Sequence, residues 1–223
     1  IDPEEIINNY GADAVRLFIL SDSPPEKDIQ WSDEGIISSH KFLQKLWVLN
    51  LSIKEQIEKD MNKDHSNIIE KYTNKFIKVI TEYLEKFNYN KIIATIHEMH
   101  SFFAKNLKKG FTKETLITNY SKILIVMMPV TPHFASECLK NLKINESDIS
   151  WPNINEKILI EDHASFVIQI NGKTRGIIKG PIHSTEKEII TMVEQDKNLK
   201  KYIEQKEIQR KIFIPKKLLN IIV

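Results

Sequence analysis

The chain has 223 residues, 41% of them hydrophobic and 28% charged, a globular composition that argues against disorder. No apolar run approaches the roughly 20 residues that span a bilayer, no basic-then-apolar leader opens the chain, and the single cysteine, Cys138, excludes an internal disulfide framework and a cysteine-rich zinc knuckle. These features suit a cytoplasmic protein, and a formal charge of +2 says little about nucleic acid by itself.

Asp2 and Pro3 are of the types that cap and start a helix, so the chain is expected to open at a structural seam. Residues 12–20 carry Ala12, Val15, Leu17, Phe18, Ile19 and Leu20, which predicts a short helix buried on most sides. Asp13 and Arg16 sit three apart on it and can pair across one turn. Pro24-Pro25 stops that helix, Trp31 anchors the following loop, and Ser32 or Asp33 caps the next helix. Apolar residues then recur at helical spacing over 33–56, over 67–87 and over 90–108, with Gly110 as a C-cap. Thr112 caps a fourth long helix through about 128. Pro129 and Pro132 break it, and a short helix over 133–141 follows. Long helices with short connections predict an antiparallel bundle.

The pattern changes around Trp151-Pro152. Residues 166–170 are a β-rich run, Asn171-Gly172 is the strongest hairpin signal in the chain, and 173–179 is the return strand. Ser184 or Thr185 caps a helix with a capping-box-like start, a helical turn covers 198–204, and strands follow over 208–214 and 218–223. The expected fold is mainly α: a helix bundle followed by a small α+β domain of pattern ββααββ. The expected boundaries are an entry segment over 1–32, a bundle over 33–150, a linker over 151–162 and the small domain over 163–223.

Charge is unevenly divided. Residues 151–223 hold 13 Lys/Arg and 9 Asp/Glu, whereas residues 1–150 carry a net −2. Between His163 and Thr185 stand Lys173, Arg175 and Lys179 with no acid; between Ile208 and Val223 stand Arg210, Lys211, Lys216 and Lys217, again with no acid. Lys173, Arg175 and Lys179 have the same parity along their strand, so they are expected to share one sheet face able to contact phosphates. A solvated outer sheet face explains the same charges without a ligand. In the bundle, Lys41 and Lys45, four apart, are weaker candidates for a nucleic acid backbone, and an ordinary wet helix face explains them too. Lys105, Lys108 and Lys109 are accounted for by the helix dipole. His97 and His100 lack the H-E-x-x-H spacing and an evident third ligand, so no metal site is expected. Cys138 near His133 belongs to no recognisable catalytic motif; a structural cysteine is expected. There is no Gly-rich phosphate loop and no carboxylate pair placed for acid–base work, so no catalytic residue is expected.

Several strings carry a family resemblance. Y-G-A-D-A-V-R through S-P-P-E-K-D-I-Q-W-S-D, residues 10–33, resembles the segment that follows the K-M-S-K-S loop of class I aminoacyl-tRNA synthetases, most closely the bacterial leucyl group. V-I-Q-I-N-G-K-T-R, residues 167–175, is similar to the V-Q-V-N-G-K-x-R hairpin of that group, and I-F-I-P with K-L-L-N-I-I-V is similar to its terminal strands. P-V-T-P-H, residues 129–133, resembles the structural P-x-x-P-H bend of the class. In two places the sequence departs from the pattern: Lys216 stands where glycine is expected, and Ile177 where a basic residue is common.

The resemblance implies the tRNA-recognition part of a leucine–tRNA ligase, C-terminal to a catalytic domain. The bundle is then the anticodon-binding-type domain, and the small domain reaches the elbow of tRNA(Leu). Lys173, Arg175, Lys179, Arg210, Lys211 and Lys217 become the expected RNA contacts, with Lys41, Lys45 and Lys216 weaker. It also implies a monomeric full-length enzyme using ATP and Mg2+, while this portion needs no cofactor and is inactive alone. The alternatives are the same region of a valyl-, isoleucyl- or methionyl-tRNA synthetase, or a non-catalytic RNA-binding module.

Overall fold

Asp2 accepts from the Glu4 N–H at 2.9 Å and Pro3 follows it, so α1 (Pro3–Tyr10) begins where cap and proline put it. The structure, a computed structural model, describes residues 2–22, 28, 30–59, 65–159, 163–204 and 206–223. The Pro24-Pro25 stop lies outside the described residues. α2 (Ala12–Asp22) follows Gly11, and Ser32, which accepts from the Gly35 N–H at 3.1 Å, caps α3 (Asp33–Lys59). The bundle is completed by α4 (Ser66–Glu85), α5 (Tyr89–Asn106), α6 (Lys113–Met127, capped by Thr112) and α7 (Pro132–Asn141). A short α8 (Glu156–Leu159), which carries no sequence signal of its own, comes last. None of these helices is long and apolar enough to cross a membrane.

By its contacts the chain divides into two compact units, Ile1–Leu159 and Ile160–Val223. The core of the first is set by the periodic residues: Phe76, Ile77 and Ile80 of α4, Ile96 and Phe103 of α5, and Tyr120 and Ile123 of α6 are all 2% exposed or less. α2 belongs to this unit. Leu17 joins the main core, while Ala14 and Phe18 pack with Ile36 of α3, and Trp31 sits edge-on to Phe18 at 5.1 Å. A Cβ on Gly35 would meet the Phe18 ring at 2.5 Å, so this close packing of α2 on α3 requires glycine there. The stretch expected as linker begins as part of this unit. The Trp151 indole donates to Thr81 Oγ1 at 3.0 Å and the Asn155 N–H to Asn74 Oδ1 at 2.7 Å, which lays the chain along α4.

The expected Asp13–Arg16 pair gives way to a stronger arrangement. The Arg16 side chain donates to two backbone carbonyls just past α6, those of Pro129 and Val130. Asp13 Oδ2 accepts from the Phe134 N–H at 2.7 Å; its Oδ1 accepts from the His133 N–H at 3.4 Å and lies 3.0 Å from His133 Nδ1. The cap residue of α7, Thr131, directs its hydroxyl back to the Met127 carbonyl and makes no cap bond. Asp13 therefore caps α7 from another helix. A cation at one helix end and an anion at the next helix start suit both dipoles, and unpaired backbone groups at these ends outweigh a side-chain pair across one helical turn. Beside this bend Cys138 is fully buried. Burial pushes its thiol up to about 12, and the hydrogen bond with Tyr120 only partly offsets this.

The second unit has the expected order: β1 (His163–Ile170), β2 (Lys173–Pro181), α9 (Glu186–Gln195), α10 (Lys197–Lys200), β3 (Arg210–Ile214) and β4 (Leu218–Ile222). The sheet runs β2-β1-β4-β3, with β1 and β4 parallel and the other pairs antiparallel. Thr185 and Glu188 form a complete capping box on α9. Phe166, Ile168, Ile170, Leu219 and Ile221 form the buried sheet face, and Ile189, Val193 and Leu199 cover it from the helices. Lys216, in the turn joining β3 to β4, takes φ +63°. The lysine thus keeps the left-handed conformation that glycine would supply without strain.

Asp13→Ala removes the cap of α7 and leaves two N–H groups unpaired, for an expected loss of about 2–3 kcal/mol. All three tryptophans lie within Ile1–Leu159, so tryptophan fluorescence during urea unfolding reads this unit alone. Lys216→Gly is expected to raise the stability of the second unit by about 1 kcal/mol, read by calorimetry. Cys138 is expected to resist iodoacetamide at pH 8 until urea unfolds the bundle.

Candidate nucleic-acid interface

The hairpin turn adopts the mirror-image geometry its residues favour, with Asn171 at φ +49° and Gly172 at φ +77°. The last strand holds it. Asn171 Nδ2 donates to the Val223 carbonyl at 3.3 Å, the Val223 N–H donates to Asn171 Oδ1 at 3.0 Å, and the Gly172 N–H donates to Asn220 Oδ1 at 3.2 Å. The N-G-K turn and the K-L-L-N-I-I-V end of the chain are thus one hydrogen-bonded construction.

The expected common face of Lys173, Arg175 and Lys179 does not form. Thr174 stands opposite Gln169 and Gly176 opposite Ile168, so Arg175 is an extra residue, a β-bulge. Parity changes across a bulge. Lys179 pairs with Ser165 on the open side, while Lys173 pairs with Ile170, a buried-side position, at the exposed end of the strand. A Cβ on Gly176 would touch Leu199 at 3.0 Å, so α10 approaches β2 closely beside the bulge. There the Arg175 guanidinium lies over the Tyr202 ring, 4.5 Å from its centre, and Lys201 Nζ lies 5.1 Å from the same centre. This cluster of two cations on one aromatic ring was not read from the sequence. Its signal was the K-K-Y triplet at 200–202, where a lysine run meets an aromatic residue.

The open sheet face is more aliphatic than expected. By register it carries Val167, Ile177, Ile212, Ile214, Leu218 and Ile222. Ile177 is 62% and Ile214 45% exposed. Only Lys179 and Arg210, on the two outer strands, bring charge to this face by register. Lys211 pairs with Ile221, a buried-side position, yet remains exposed on the edge strand. Lys216 and Lys217 lie in the β3–β4 turn, where the Lys217 carbonyl accepts from the Val167 N–H at 2.9 Å.

In the first unit, Lys41 and Lys45 line a groove of about 630 Å³ between α3 and α5, with Val48, Leu49, His100 and Lys108. Its walls combine cations with aliphatic carbon, which a bare wet helix face would lack. His97 is not placed as a ligand: its ring stacks on Phe42 with centres 3.6 Å apart. Burial lowers its pKa, and His100 and Lys45 add to the effect. Among the described residues no three His, Cys, Asp or Glu side chains gather where a metal could bind.

Comparison with known proteins gives consistent likenesses. The family model for the anticodon-binding domain of tRNA ligase matches residues 66–191, more than half of the chain. The leucine–tRNA ligase of Orientia tsutsugamushi (strain Boryong) is 34% identical over 229 residues, covering all of this chain and 26% of that protein. The leucine–tRNA ligase of Buchnera aphidicola subsp. Cinara cedri (strain Cc) is 33% identical over 231 residues, covering all of this chain and 27% of that protein. The chain therefore spans about a quarter of the length of the curated relatives it matches. Among solved structures, the crystal structure of the ternary complex of Agrobacterium radiobacter K84 agnB2 LeuRS, tRNA and LeuAMS superposes with a TM-score of 0.81 at 21% identity, covering all of this chain and 29% of that one. At that identity the likeness carries the fold.

Proposed function

Since the chain belongs to the family of anticodon-binding domains of tRNA ligases, we propose that it is the tRNA-recognition portion of a leucine–tRNA ligase. The observation that carries this reading is the cluster at the bulge. Arg175 and Lys201 on Tyr202 present cationic groups with an aromatic platform, the combination that grips phosphate and stacks on exposed bases. Lys173 stands two residues away, while Lys179, Arg210, Lys211 and Lys217 supply further cations of the same unit, with Lys216 weaker. In the bundle, Lys41 and Lys45 bring charge to the groove between α3 and α5. Such contacts set the register and orientation of a nucleic acid; they perform no bond chemistry. Leucine is the amino acid because the relatives that match the whole chain are leucine–tRNA ligases. We place the parent enzyme, a monomer, in the cytoplasm.

Leucine activation with ATP and Mg2+ belongs to such a ligase as a whole. The residues here do not fit that chemistry. The 223 residues contain no H-I-G-H or K-M-S-K-S segment and no Gly-rich phosphate loop. The described residues also hold no cluster fit for a metal. The chain alone is therefore expected to give no leucine-dependent ATP–pyrophosphate exchange and no hydrolysis of mischarged tRNA.

Binding of a tRNA(Leu) transcript, followed by fluorescence anisotropy across a salt series, tests the positioning role. Lys173→Ala with Arg175→Ala is expected to lower affinity and to reduce the salt slope by about two, one counterion equivalent per lost phosphate contact. Tyr202→Leu is expected to weaken binding with a smaller change in slope, and Tyr202→Phe to keep it. Unchanged affinity and slope in the double variant would remove this surface from the interface; equal binding of a valine tRNA would remove the leucine assignment.

A further inference from the structure

α4 ends in a full Schellman motif: the Asn88 N–H donates to the Tyr83 carbonyl at 2.8 Å and the Phe87 N–H to the Leu84 carbonyl at 3.1 Å. The left-handed position of this motif, at φ +53°, is held by Phe87. Glycine is the usual occupant, because a side chain there presses against the backbone, and a bulky residue at positive φ is an outlier. The fold gives little in return. Phe87 is 61% exposed, and among the described residues its ring meets the edge of Tyr89, 6.2 Å away. A glycine would make the same turn with less strain, so the aromatic ring is held outward at a cost to stability. Strain without a local return concentrates at working surfaces.

The neighbours decide what kind of surface this is. Lys86 directly precedes Phe87, and Lys91 lies over the Tyr83 ring at 5.6 Å. Glu82 and Glu85 of the last α4 turns balance these two lysines, so the tip has no net pull on a polyanion. What it offers is one exposed aromatic face with a cation beside it. That suits a single unstacked base with its phosphate near Lys86, and not a run of phosphates.

We propose that Phe87 is a stacking platform for an unpaired base of the bound RNA, at the turn between α4 and α5. The inference rests on the reading that this chain holds tRNA, and it adds a non-ionic contact in the bundle to the cationic ones of the second unit.

Affinity for a tRNA(Leu) transcript, its salt slope and the melting temperature are measured together for wild type and three variants. Phe87→Gly is expected to melt at a higher temperature yet bind about tenfold more weakly, with the slope unchanged because no phosphate contact is lost. Phe87→Leu, which keeps an apolar side chain without a π-face, is expected to bind as weakly as Phe87→Gly, and Phe87→Trp to bind like wild type. Wild-type affinity in either the glycine or the leucine variant would overturn the platform while leaving the tRNA reading intact. No binding by wild type would overturn that reading and the platform with it.

Discussion

The first unit depends on how the Pro129–Phe134 bend is held. Two prolines end α6 and start α7, and they leave carbonyls at one helix end and N–H groups at the next start without helical partners. α2 supplies both answers from one turn of helix: Arg16 donates to the carbonyls and Asp13 accepts from the N–H groups. These bonds cross more than 110 residues of sequence. Much else follows from them. They hold α2 against α7, and α2 also packs on α3 and α5, with Leu17 in the main core and Phe18 resting on Gly35. The entry helices are thus an integral part of the bundle.

The second unit repeats this logic on a smaller scale. The turn at Asn171-Gly172 is favoured by its own residues, but its position is set by the chain end. Asn220 of β4, the strand parallel to β1, and Val223 just past it bond to the turn. A hairpin alone is marginal in water, and the added strand with its covering helices gives it an apolar face to bury. The bulge at Arg175 then decides where the charge goes. One extra residue removes Arg175 from the common face and lays it over Tyr202, beside the close approach of α10 at Gly176. The open face is left mainly to aliphatic side chains.

Phe87 and Lys216 share a backbone feature with different surroundings. Both occupy left-handed positions that glycine would fill more easily. Lys216 sits in the tight connection between the edge strand β3 and its neighbour β4, where the strain of one residue is tolerated by a sheet held on two other strand pairings. Phe87 sits at a helix corner with its ring open to solvent. In neither case does the preference of the residue itself determine the turn; the hydrogen bonds around it do.

How much was legible in the sequence follows from the range of each interaction. Caps, breaks and periodicity act within four residues or so, and Asp2-Pro3, Thr112, Thr185 with Glu188, and Asn171-Gly172 all carry out what their types predict. The order of helices and strands, the buried residues and the family resemblance were readable for the same reason, since each is written in local pattern or in contiguous strings. Long-range pairing was not. Asp13 and Arg16 looked like partners because a helix places them one turn apart, and only the packed bundle offers each a helix end that binds it better. Parity along 173–179 implied one basic face, and a register shift against β1 broke it. The sequence by itself determined which elements form, α8 apart, and most of the apolar residues they bury. The tertiary structure decided where the charges point, because a one-residue bulge or a partner more than a hundred positions away leaves no periodic trace in the chain.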